Sequence, residues 1–282
     1  MKNYSNSFIL NNVFTQEMLN ELISIGNSQI LNNAFSVFYD SNDDNMSDYN
    51  KIELLYNLLD KNYRNEYFYK NTLINKILVG VHSVNTTTAL TELPINNSKA
   101  DLVMINGNAV AYEIKTELDS LQRIETQIID YYKAFKQVSV VIDNKHKEKV
   151  VEKYGASPVG IYTITNRTTI STLKKPEIYN KLLDPLVIYK ILRKPERYKI
   201  VNKYFNNIPN YNQFEEFDEL YKLFCSIKIE TIYREFIKIL KERSRVRNNK
   251  KYFDVIPKEI KSLVYFNDPI TSEYKRLIDT IK

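Results

Sequence analysis

At 282 residues, with 43% apolar and 26% charged side chains, the chain is long enough for one or two globular domains and too apolar for intrinsic disorder. No run approaches the roughly 20 apolar residues that span a bilayer, and the start MKNYSNSFILNN has no long apolar signal segment. The net charge of +6 attracts polyanions, while one cysteine and two distant histidines exclude an internal disulfide and a cysteine- or histidine-rich metal site; a soluble cytoplasmic protein without a membrane partner is expected.

Residues 15–38 carry Met18, Leu19, Leu22, Ile23 and Ile30 at helical spacing. A polar stretch from Asp40 to Asn50 follows and reads as a loop. Its Asp40, Asn42 and Asp44 have calcium-loop spacing, but Asn45 stands where glycine is required and Lys51 where the bidentate glutamate belongs, which argues against calcium. Two helices are expected between Ile52 and Leu78.

The pattern then changes to short β-branched or alternating runs at 86–95, 101–105, 109–116 and 138–143, with a helix from Ser120 to Phe135, capped by Asp119 or Ser120, between the last two. A further strand is expected at 160–165. Beyond Lys174-Lys175-Pro176 the chain turns helical. The expected fold class is therefore α/β, a mixed sheet flanked by helices, divided into an N-terminal helical extension over 1–50, a core over 51–172 and an α-helical domain over 173–282.

The turn Asn106-Gly107-Asn108 is a hairpin signal, because Asn and Gly tolerate positive φ. With a three-residue loop, Ile105 faces Ala109 and Asp101 lies opposite Glu113, with Lys115 on the same face as Glu113. A two-residue loop would instead pair Asp101 with Tyr112 and turn Glu113 away. Asp and Glu are poor strand formers, so their placement inside ADLVMI and AVAYEIK calls for a partner or a metal. Two carboxylates suit Mg²⁺, with Mn²⁺ able to substitute. Such an ion can activate water and neutralise a phosphate, and the Lys115 ammonium can stabilise developing negative charge. Phosphodiester hydrolysis is the reaction class implied.

Asp101 followed by Glu113-Ile114-Lys115 resembles the D…ExK signature of the PD-(D/E)XK nuclease superfamily. The resemblance implies a restriction-endonuclease-like core, metal ligation by Asp101, Glu113 and the Ile114 carbonyl, and catalysis assisted by Lys115. Gln127 and Tyr131 resemble the Q-x-x-x-Y pair of the RecB-like branch, and Arg123 lies one turn earlier in the same helical row, where it could touch a phosphate. The stretch YEIKTELDSLQRIETQIIDYY also resembles an uncharacterised bacterial family within the superfamily. The superfamily often adds an acidic residue from a preceding helix; Glu66 is the first candidate, with Glu53 and Asp60 as alternatives, and Glu92 on the first strand is another potential ligand.

Lys241, Arg243, Arg245, Arg247, Lys250 and Lys251 form a basic run ahead of Tyr252 and Phe253, a candidate nucleic-acid contact. Cys225 is expected in buried packing, and His82 and His146 in structural or solvent-facing roles. The expected activity is metal-dependent cleavage of DNA, with RNA not excluded and a protein partner or homodimer possible. The competing expectation is a nuclease-like fold that is catalytically silent and serves as a nucleic-acid-binding or regulatory module. In the plainest reading, Asp101 or Glu113 simply forms a surface ion pair with Lys115.

Overall fold

The structure, a computed structural model, describes residues 2–39, 46–206, 208–209 and 211–282. The calcium-like spacing at 40–45 lies outside them. The chain forms two compact units: Met1–Thr86 with Ser244–Lys282, and the continuous segment Thr87–Arg243.

The first, or terminal, unit begins with helices α1 (Lys2–Val13), α2 (Gln16–Ser24), α3 (Gln29–Phe38), α4 (Asp48–Asn62) and α5 (Glu66–Leu73), the last running into a π-helical turn at Ile74–Val79. The single helical stretch expected over 15–38 is two helices. Gly26 at φ +76 breaks it, and the side chains of Thr15 and Ser28 cap the two pieces.

The central unit is built on one six-stranded sheet: β1 (Thr88–Ile95), β2 (Ser98–Asn106), β3 (Asn108–Lys115), β4 (Gln137–Ile142), β5 (Gly160–Ile164) and β6 (Ile170–Lys174). Its strands lie in chain order. The first three are antiparallel neighbours, β3, β4 and β5 are parallel, and β6 returns antiparallel. The parallel steps are bridged by α6 (Ile124–Tyr132) and α7 (Lys147–Tyr154), as parallel strands require a crossover. Strand β6 was not expected from the sequence. At β5, a Cβ on Gly160 would meet Ser139 Oγ at 2.5 Å and the Pro176 ring at 2.8 Å, so this crossing of backbones needs glycine.

Helices α8 (Pro185–Ile191), α9 (Lys194–Tyr204), α10 (Glu216–Cys225) and α11 (Ile229–Lys241) complete this unit. Val187, Ile188, Tyr189, Leu220, Phe224 and Phe236 are buried in the same apolar cluster as Val103, Ile105, Ile128 and Val140 of the sheet and α6. The Phe135 and Phe236 rings lie 5.6 Å apart. The border expected at 172/173 is therefore not a border of the compact units. Helices α8–α11, which follow it, are buried in the sheet's own cluster, and the chain divides at 86/87 and 243/244.

The chain then re-enters the terminal unit through α12 (Lys250–Asp254), α13 (Lys261–Asn267) and α14 (Thr271–Ile281). Fully buried Asn71 on α5 joins the two segments of this unit. Its amide nitrogen donates to the Lys258 carbonyl at 2.8 Å and to the Tyr56 hydroxyl at 3.0 Å, and its oxygen accepts the Ser262 N–H at 3.0 Å. No described helix is long and apolar enough to cross a membrane.

Candidate active site

The β2–β3 hairpin sets the register. Gly107, at φ +72, sits between the paired Asn106 and Asn108, Ile105 faces Ala109 and Leu102 faces Tyr112. One step further, Asp101 falls opposite Glu113, the alignment of the three-residue reading. There the Asp101 carboxylate takes up a backbone donor: its Oδ2 accepts the Ile114 N–H at 2.6 Å.

On β3, Glu113, Ile114 and Lys115 are all buried, at 2%, 3% and 9% exposure. Pleat alternation brings Glu113 and Lys115 together, Nζ 2.7 Å from Oε1. The other Glu113 oxygen, Oε2, accepts from the Tyr131 hydroxyl, which is also 2.8 Å from the Lys99 carbonyl. Burial, then the adjacent Glu113 carboxylate, pushes the Tyr131 phenol far above its ordinary range, so it stays a donor. Gln127, one turn earlier on α6, is half-buried, and its Oε1 is buried without a hydrogen-bond partner.

Glu92 lies between Thr91, which faces Leu102, and Leu93, which faces Ala100, and so is opposite Asp101. Its φ of +53 is left-handed, a conformation that costs a non-glycine residue about 1 kcal/mol or more. Carboxylate oxygens of Glu92 and Asp101 come within 4.8 Å of each other, and Lys99 Nζ is 2.5 Å from Glu92. Glu92, Asp101 and Glu113 thus occupy successive positions across three strands. The chemistry of that row is hard oxygen, with Lys99 and Lys115 as the neighbouring cations.

Two features of this frame escaped the sequence reading. Asp130, next to Tyr131 and 3% exposed, accepts from Asn96 Nδ2 at 2.6 Å, Ser98 Oγ at 2.8 Å and Lys133 Nζ at 2.9 Å, anchoring the β1–β2 turn to α6. Burial works against its charge, but the bonds from Lys133, Asn96 and Ser98 prevail and hold its carboxyl below the usual range. The loop after Lys115 is fixed too. Asp119, expected with Ser120 as an alternative to cap α6, instead accepts from the Thr116 N–H and hydroxyl, both at 2.7 Å, and buried His146 bonds the Thr116 carbonyl at 3.0 Å. The helix starts later than expected, with Arg123 as its exposed N-cap.

The remaining candidates divide. Glu66, Glu53 and Asp60 belong to the terminal unit; Glu66 opens α5, with Lys70 Nζ 2.5 Å away one turn on. The border at 243/244 passes through the basic run. Arg243 is turned inward: its side chain, 9% exposed, makes two bonds to Glu196, at 2.6 and 2.9 Å, and one to the Ile191 carbonyl. That placement differs from the solvent-facing position expected of a nucleic-acid contact. Arg245 pairs with Asp268, Lys250 with Asp254, Lys251 lies over the Tyr252 ring, Arg247 is exposed, and Lys241 is half-buried at the end of α11. Cys225, expected in the core, is exposed on α10, where Leu220 and Phe224 take the inward positions.

Comparison with known proteins gives one family and one relative. The family described as Bacteriophage P4 protein cII matches residues 60–263. Protein cII of Enterobacteria phage P4 is 27% identical over 126 residues, 43% of this chain and 47% of that protein, so the chain spans about half the length of the curated relative it matches. No solved structure matches. Since the family match takes in the whole sheet, the hairpin and α6, the chain belongs to the bacteriophage P4 cII protein family.

Proposed function

We propose that the central unit is a metal-dependent phosphodiester hydrolase of PD-(D/E)XK type, acting on DNA. The observation that carries the reading is the buried Glu113–Lys115 pair beside Asp101, because strands rarely bury a carboxylate and an ammonium without a task for them. The donor set fits magnesium: Glu92 and Asp101 offer carboxylate oxygens close together, with no thiol or imidazole among them. Glu92, Asp101, Glu113 and the Ile114 carbonyl would hold the ion. When bound, it would acidify a water and neutralise phosphate charge.

The chain's own residues do the rest. Lys115 holds positive charge where a phosphate oxygen gains negative charge. Tyr131 stays protonated and fixes Glu113, and Asp101 ties the ends of β2 and β3 together. Incubating the protein with plasmid, linear duplex and single-stranded DNA in Mg²⁺, Mn²⁺ or EDTA, alongside Lys115→Ala, tests this. Metal-dependent cutting that the variant lacks is expected; no cutting of any substrate by the wild type with either ion overturns it.

One observation favours a second reading, a silent scaffold that binds nucleic acid without cutting. Both Glu113 oxygens already have partners, Lys115 and Tyr131, so the carboxylate is satisfied without a metal. Under that reading Mg²⁺ leaves the melting temperature unchanged, whereas an ion that binds the native state raises it.

A further inference from the structure

Helices α9 and α11 run alongside each other in the central unit, cross-linked by Lys203–Glu235 at 2.8 Å and Lys199–Glu242 at 2.7 Å. The first of these links is crowded. Lys203 Nζ, Lys238 Nζ and Arg234 Nε lie 2.8, 3.6 and 3.8 Å from the same Glu235 oxygen, which also accepts from the Tyr204 hydroxyl at 3.1 Å. Three cations share one carboxylate.

The carboxylate is inside and the cations are outside. The Glu235 side chain is 10% exposed, whereas those of Lys203, Arg234 and Lys238 are 51%, 61% and 59% exposed. Burial raises the Glu235 carboxyl, but hydrogen bonds from Lys203 and Tyr204 prevail and keep it ionised. Glu235 therefore gathers three positive side chains at the surface and neutralises one of them. In the terminal unit, by contrast, Arg245 and Lys250 each have an acid of their own.

Spacing extends the cluster into a ridge. Arg234, Lys238 and Lys241 recur at i, i+4 and i+7 on α11, and on α9 Lys203 lies one turn after Lys199, whose charge Glu242 offsets. Seven residues of helix advance about 10 Å, over which one strand of a B-form duplex, at about 3.4 Å per phosphate, passes about three phosphates. Exposed Tyr204 adds an aromatic face beside Lys203.

We propose that the α9–α11 ridge, centred on Lys203, Arg234 and Lys238 around Glu235, is a docking surface for the phosphodiester backbone of duplex DNA. It concerns binding alone and stands whether or not the central unit cuts.

The test is equilibrium binding of the full chain, in EDTA, to a fluorescein-labelled duplex DNA and to a duplex RNA of the same sequence, across a salt series. K203A/R234A/K238A is expected to bind at least tenfold more weakly at low salt. The slope of log K against log salt should become shallower by about 2.7 on a B-form duplex if all three cations meet phosphates. The slope should change on the DNA arm, and a change confined to the RNA arm overturns the assignment to DNA. Circular dichroism and the melting temperature check the fold; if the triple variant fails to fold, K238A and R234A singly should each make the slope shallower by about 0.9. A wild type that binds neither duplex, or folded variants whose affinity and slope equal the wild type's on both, overturns the proposal.

Discussion

Asp101 holds the backbone N–H of Ile114 with its carboxylate, 2.6 Å away, so a residue proposed to bind metal also closes the end of the β2–β3 ladder. The two roles separate in Asp101→Asn. The amide oxygen still accepts the Ile114 N–H, so folding is retained, while the charge that attracts a cation is gone. Cleavage should fall by at least 100-fold and the Mg²⁺-induced rise in melting temperature should shrink. An equal rise in wild type and variant would remove Asp101 from the ion's ligands.

Lys115 and Glu113 are a buried pair, and removing one member leaves the other uncompensated. Lys115→Ala should destabilise the fold by about 3 kcal/mol or more, while Glu113→Gln with Lys115→Met should recover much of that loss, because a neutral pair leaves no stranded charge. Urea denaturation of Glu113→Gln, Lys115→Met and the double variant gives the coupling. Additive losses would mean that the pair is not coupled in solution.

Asp130 titrates lower in the folded chain than in the unfolded one, where aspartate has a pKa of about 3.9. Its ionised form therefore adds stability that is present above the unfolded value and is lost as pH falls through the folded value. Melting temperatures of wild type and Asp130→Asn should differ most near neutral pH and converge below about pH 4. A gap that stays constant down to pH 3 would show that the bonds from Asn96, Ser98 and Lys133 do not depend on the charge.

Arg243 sits inside the basic run but points away from solvent. Arg243→Ala should cost about 3 kcal/mol in denaturant, by stranding Glu196 and the Ile191 carbonyl, and should leave the salt slope of nucleic-acid binding unchanged. A changed slope with unchanged stability would return Arg243 to the binding surface.

The parts of this molecule legible in the sequence are those governed by short-range rules. Alternation and β-branching marked five strands, and Asn106-Gly107-Asn108 marked the hairpin whose register aligns Asp101 with Glu113. Strand β6 is five residues long and half-buried, so its periodicity is faint. The division of the chain was not legible because it rests on long-range pairing. Nothing near Asn71 shows that its partners are Lys258 and Ser262, and nothing in Val187 or Phe236 shows that they share a core with Val103. Within the site, the left-handed Glu92 and the Asp130 anchor depend on contacts across strands and helices that spacing alone does not encode. In the basic run, a row of like charges says nothing of which side chain turns inward, as Arg243 does to meet Glu196.

The way Asn71 ties α5 to the Lys258–Ser262 segment has a consequence for synthesis. The terminal unit is assembled from both sides of the central unit's sequence, so it lacks part of its packing until residues 244–282 have left the ribosome. The central unit, continuous from Thr87 to Arg243, needs no such wait. Translation therefore delivers the sheet and its buried carboxylates before the helices on either side of it in sequence can close, and the first 86 residues must stay unaggregated throughout that interval.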